Sequence, residues 1–185
     1  GLTPTAARAE CGRFLPPYAP FRKVALVRRN DAERFETPAA LDMPDVRVVK
    51  NPGGTNEIWV DEHFRRAYVA TCPVNEAIPG LIADGVGDAM ITDAFEADWY
   101  VAHDRRLKAI FRGIEGEAAL SPVQWKAVLV HETLKRTKHS TRPPLYGRLL
   151  SAWECLEESG EIARLAKKWF RAGAVQNESE SAENA

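Results

Sequence analysis

The chain has 185 residues, 45% of them apolar and 28% charged, with a formal net charge of −1. That is an ordinary globular composition, long enough for one large domain or two small ones with a sizeable core. The balance argues against a nucleic-acid partner, because the basic pairs Arg22–Lys23, Arg28–Arg29, Arg65–Arg66 and Arg105–Arg106 are scattered among acids. No apolar run is long enough to span a bilayer, so no membrane insertion is expected.

Along the chain, GLTPTAAR reads as a turn followed by a helix start, with Thr5 as N-cap before AARAE. The prolines of FLPPYAP break any helix. RKVALVRR is a valine-rich strand. NDAERFETPAALDMPD is rich in turns and offers one short helix at ETPAAL. VRVVK, Val46 to Lys50, is a second strand, and NPGGTNE, Asn51 to Glu57, follows it.

IWVDEHFRRAY has partly helical apolar spacing, YVATCP is a third strand, and NEAIPGLIADG is a helix carrying Pro79. DAMITDAFEADWY begins as a strand and turns polar, and HDRRLKAIFRG is mixed. WKAVLVH, Trp125 to His131, is one more strand. LYGRLLSAWECLEESGEIARLAKKWF reads as two helices split at Ser159–Gly160. AVQNESESAENA is an acidic, disordered tail. Alternating strands and helices predict an α/β protein with largely parallel sheets. RKVALV and WKAVLV are alike and bracket the middle of the chain, as two crossings between two lobes would; chance likeness of short valine-rich strands gives the same pattern.

A strand, a glycine turn and a helix start make NPGGTNE a candidate anion site: glycines let the backbone approach a ligand, and N–H groups at the helix start face it. It is neither a Walker loop nor GxGxxG, so a carboxylate fits better than a nucleotide phosphate. A purely structural βα turn fits the same residues. In MITDAFEA, Asp93 and Glu96 follow an apolar strand end, where α/β sheets place ligands. They could bind an ammonium, one could be a general acid in a partly dry site, or both could simply decorate a helix N-terminus. Arg8, near a helix start, can hold a carboxylate or be surface arginine.

The four histidines have no metal spacing, and there is no GxSxG, so no metal or serine nucleophile is expected. Cys11, Cys72 and Cys155 lie far apart with no CxxC and read as small buried hydrophobes.

Taken in order, LTPTAAR, PPY, RKVALVR, VRVVKNPGGTNE, MITDAFEA, WKAVLV and SGEIARLAKKW resemble the periplasmic solute-binding proteins of the amino-acid-binding type. More closely they are similar to the cyclohexadienyl dehydratases built on that fold. The likeness runs to about Phe170, and NPGGTNE with TDAxEA is its most specific part.

The resemblance implies a two-lobed, type II periplasmic-binding-protein-like fold whose first lobe is incomplete at the N-terminus. On that reading residues 1–23 are a remnant of lobe 1, 24–123 are lobe 2, 124–171 return to lobe 1, and 172–185 are the tail. It implies that Thr3 and Arg8 grip a ligand carboxylate, that Thr55, Asn56 and Asn51 close on it, and that Asp93 meets an ammonium. Glu96 would be the general acid in a decarboxylating dehydration of prephenate or arogenate, with no metal or organic cofactor. Nothing carries over for Ala97 to Leu120.

The same residues, Glu96 aside, equally suit a non-catalytic receptor for an amino acid or small carboxylate in an ABC uptake system. Location would be periplasmic or secreted, although no signal peptide is visible at Gly1. Sheet edges left open in lobe 1 would favour a homo-oligomer.

Overall fold

The computed structural model describes residues 1–114, 118–131 and 145–169, so the expected acidic tail lies outside the described residues. In chain order the elements are α1 (Ala6–Ala9), β1 (Gly12–Phe14), β2 (Ala19–Phe21), β3 (Lys23–Arg28), β4 (Arg47–Lys50), α2 (Thr55–His63), β5 (Tyr68–Thr71) and α3 (Ile78–Ala83). There follow β6 (Ala89–Asp93), α4 (Ala94–His103), β7 (Leu107–Ile110), β8 (Gln124–Lys126), β9 (Leu129–His131), α5 (Leu145–Glu158) and α6 (Glu161–Trp169). Short 3-10 turns lie at Arg29–Arg34, Pro38–Leu41 and Asn75–Ala77.

The chain divides into two compact units. One takes Gly1–Phe21 and the segment from Gln124; the other takes Arg22–Val123. The second unit is built on a five-stranded sheet, order β5-β4-β6-β3-β7. β4 is parallel to β5 and β6, whereas β3 is antiparallel to both β6 and β7. The expected parallel sheet is therefore mixed, with β3 alone running against the rest. A strand buried on both faces reads as a continuous apolar run whichever way it points, so its sequence carries no direction.

β3 alternates between two cores. Ala25 and Val27 face a cluster with Val48, Ile91, Val60, Phe64, Phe35 and Leu41. Val24 and Leu26 face the other, with Met90, Val49, Ile78 and Ile82 of α3, and Ala94, Ala97 and Tyr100 of α4. Burying each large side chain contributes about 1.5–3 kcal/mol, so this sheet is the stable body of the unit. Pro79 is tolerated because it falls in the first turn of α3. The segment after Asp93, expected only to be polar, is the helix α4, with Ala94, Ala97 and Tyr100 on its buried face.

A buried carboxylate ties the sheet's three central strands together. Asp88, with a side chain only 3% exposed, receives the Arg47 N–H at 2.8 Å and its guanidinium at 2.9 and 3.0 Å, and the Arg28 guanidinium at 2.9 Å. Burial alone would raise its pKa; the Arg47 and Arg28 hydrogen bonds outweigh that and hold it down at about 2.

In the other unit, β1 pairs with β9 and β2 with β8, both antiparallel. The single strand expected over WKAVLVH is thus two strands, interrupted at Ala127–Val128, where Ala127 bridges to Leu2. α5 and α6 are separated at Gly160, whose φ of +72° is the left-handed conformation that glycine adopts without cost. Neither helix buries a residue. Cys11 and Cys155 are exposed and Cys72 half-buried, so the expectation of three buried thiols is corrected. Two of them sit at helix-flanking or helix-surface positions that no core covers.

Candidate functional site

Two neighbouring groups of side chains meet around the junction from β6 to α4. The first is organised by Lys23, which the sequence reading passed over. Lys23 and Asp93 are directly opposed across the antiparallel β3–β6 pair, so the register places an ammonium and a carboxylate together. The Lys23 Nζ lies 3.7 Å from Asp93 Oδ1 and donates to Asn56 Oδ1 at 2.5 Å and Thr55 Oγ1 at 3.3 Å. Lys23 is 1% exposed and Asp93 6%. Its backbone N–H is held by Ser121 Oγ at 2.9 Å. Asp93 is the N-cap residue of α4, yet its side chain makes no capping bond.

Thr55 and Asn56 come to Lys23 from the glycine turn. Gly53 has φ +88°, which forces the chain to reverse before α2 starts. Its N–H is taken by Glu57 Oε2 at 2.7 Å, and Lys50 Nζ is 3.3 Å from Glu57 Oε1. One of the amides expected to face an anion is therefore bonded within the turn. Gly54 is the N-cap of α2 with no side-chain cap. Asn51 is half-buried at the head of the turn.

The second group surrounds Glu96, in the first turn of α4. Its Oε1 accepts from Asn75 Nδ2 at 2.8 Å and from the Tyr100 hydroxyl at 3.3 Å; its Oε2 accepts from the Thr92 hydroxyl. Burial, then the charge and hydrogen bond of Glu96, push the Tyr100 phenol up to about 12. Thr92 and Tyr100 stand four residues either side of Glu96, a helical neighbour spacing that could have flagged Tyr100. Asn75 carries no local signal, since it reaches Glu96 from another element.

Thr3 and Arg8 lie in the other unit. Arg8 Nη1 donates to the Thr3 carbonyl at 2.8 Å, and Lys126 Nζ donates to Thr3 Oγ1 at 3.1 Å while lying 4.4 Å from the Phe21 ring centre. The structure thus brings Thr55, Asn56 and Asp93 together on Lys23, sets Glu96 one helical turn further along, and pairs Thr3 with Arg8. Among the described residues no group of His, Cys, Asp and Glu could hold a metal ion, and no helix is long and apolar enough to cross a membrane.

No family profile matches the chain. In sequence it is 34% identical over 97 residues to the cyclohexadienyl dehydratase of Pseudomonas aeruginosa, a stretch that is 52% of this chain and 36% of that relative. In structure it matches an ancestral amino-acid-binding protein described as a precursor of cyclohexadienyl dehydratase, with TM-score 0.73 and 22% identity over 92% of this chain and 66% of that one. It also matches an amino acid ABC transporter substrate-binding protein from Streptococcus pneumoniae bound to L-arginine, with TM-score 0.73 and 20% identity over 95% and 68% of the two chains. The chain spans about two thirds of these structures, and the sequence match little more than a third of the dehydratase. The chain has the type II fold of the periplasmic amino-acid-binding proteins, and over about half its length its sequence is similar to a cyclohexadienyl dehydratase.

Proposed function

We propose that the chain catalyses the decarboxylating dehydration of prephenate to phenylpyruvate, or of arogenate to phenylalanine, with Glu96 as the general acid. The observation that carries this is the Glu96 carboxyl, held by three hydrogen bonds at the β6–α4 junction. The sequence likeness to a cyclohexadienyl dehydratase supports the same reading.

The reaction asks little beyond positioning. As the ring carboxylate leaves as CO2, its bonding pair becomes a ring double bond and the ring turns aromatic. The hydroxyl departs as water with the proton of Glu96. No cofactor enters. Thr55 and Asn56, held by the buried Lys23 with Asp93 beside it, would offer two hydrogen-bonding side chains to a substrate carboxylate. Asn51 would complete that turn. Thr3 and Arg8 are proposed as a carboxylate-holding pair of the other unit. Work in the periplasm or outside the cell is proposed on the fold's company with ABC-transporter binding proteins.

The test is steady-state formation of phenylpyruvate from prephenate by the wild type and by Glu96→Gln. Loss of a general acid should lower kcat by on the order of 10²–10⁴-fold while binding survives. Equal turnover by the variant would remove Glu96 from the chemistry.

A second reading, a receptor for a small amino acid or carboxylate, is favoured by Asp93, a buried carboxylate at a helix start whose cap it does not serve. Calorimetry against an amino-acid panel separates the two. Tight binding unaltered in Glu96→Gln, with no turnover by either protein, would establish the receptor.

A further inference from the structure

Glu96 is held from three elements at once: Asn75 from the 3-10 turn ahead of α3, Thr92 from β6, and Tyr100 from α4. The three bonds are unequal in kind. Asn75 Nδ2 and the Tyr100 hydroxyl both donate to Oε1, whereas Oε2 meets only a threonine hydroxyl among them. An amide nitrogen can only donate, so Oε1 is occupied as an acceptor. A threonine hydroxyl can turn and accept instead, so Oε2 is the oxygen free to carry a proton.

We infer that Asn75 and Tyr100 are positioning residues for Glu96: they confine its proton to Oε2 and stabilise the carboxylate that remains once that proton has left. The inference rests on the reaction proposed above. In the step, the Oε2–H bond breaks and an O–H bond forms on the departing hydroxyl. The C–O pair leaves with water, the C–C pair of the carboxylate enters the ring, and Glu96 recovers its proton from solvent. Hydrogen bonds that favour the charged product stabilise it as the proton leaves.

Tyr100 is suited to the task. It is only 9% exposed. Burial, then Glu96, then Glu76 from the same 3-10 turn as Asn75, keep its phenol protonated up to about 12, so it stays a donor throughout the working range.

The experiment compares wild type, Tyr100→Phe and Asn75→Ala in kcat, KM and melting temperature with prephenate. Each variant removes one hydrogen bond to the ionised carboxylate. Turnover should fall roughly ten- to a hundredfold with KM little changed. The split between kcat and KM is the decisive part. A fall in kcat at unchanged KM and unchanged melting temperature is the loss of a positioned acid. A fall in kcat that comes only with a rise in KM or a lowered melting temperature would mean a merely structural role and overturn the inference. A wild type with no turnover at all overturns the reaction itself, and the catalytic role with it. Ultraviolet titration of tyrosine reads the contact separately: Glu96→Gln should bring one phenol down toward the ordinary tyrosine range. An unchanged titration would mean that Tyr100 and Glu96 do not interact in solution.

Discussion

Gly53 and Gly54 stand side by side for different reasons. Gly53 needs glycine for its backbone, with φ at +88°. Gly54 has an extended φ of −129° that any residue adopts, and a Cβ added there would meet nothing nearer than the Asn56 nitrogen at 3.9 Å. The fold therefore leaves room for a side chain at 54, and a ligand lying against the turn would be what uses that room. Serine is a preferred N-cap, so Gly54→Ser should leave the melting temperature unchanged or slightly raised. It should also sharply reduce the rise in melting temperature that prephenate causes in the wild type. An undiminished ligand shift would show that the ligand does not approach this turn. The turn itself was legible in the sequence, because glycines and a following helix start are local signals. Lys23 was not. It read as half of a solvated basic pair, and only the β3–β6 register, joining residues seventy positions apart, turns it into a buried ammonium facing Asp93.

At the scale of elements, Asp88 joins β3, β4 and the start of β6 by accepting from Arg28 and Arg47. Its pKa, held at about 2 against an ordinary 3.8, makes the tie dependent on pH. The carboxylate is favoured in the folded state, so its contribution is complete above about pH 4 and is lost as pH falls from there toward 2. That contribution is about 2 kcal/mol. Asp88→Asn should cost roughly 2 kcal/mol at neutral pH, because it removes the charge shared by Arg28, Arg47 and Arg34, and it should flatten the acid limb of stability between pH 4 and 2. Urea unfolding at several pH values checks both; a limb as steep as that of the wild type would locate the acid sensitivity elsewhere. Elements were read well where the pattern was strong, as in β3, β4 and the pair α5–α6. They were read badly where pairing decides. WKAVLVH looks like one strand, but Ala127 is drawn to Leu2 and the strand divides. DAFEADWY looks polar along the chain, yet Ala94, Ala97 and Tyr100 fall on one buried face of α4.

On the scale of the whole molecule, the described core is unevenly shared. Both hydrophobic clusters belong to the unit Arg22–Val123, which also carries Lys23, Asp93 and Glu96. The other unit, with Thr3 and Arg8, rests on two short two-stranded sheets and on α5 and α6, neither of which buries a residue. Leu145, Leu149 and Leu156 on α5, and Leu165 and Trp169 on α6, remain exposed at intervals that fall on one face of each helix. Local opening free energy follows buried apolar contact, so the two units should not share one stability. Hydrogen exchange followed by mass spectrometry should find the amides of β3 and β6 protected longest. Those of α5 and α6 should exchange earlier by orders of magnitude, and the two groups should respond separately to low concentrations of urea. Prephenate should then slow exchange in β3, β6 and the start of α2, where Lys23, Asp93 and Thr55 lie. Protection that rises and falls together in β3 and α5 would mean a single cooperative body, and would move the centre of stability away from the five-stranded sheet.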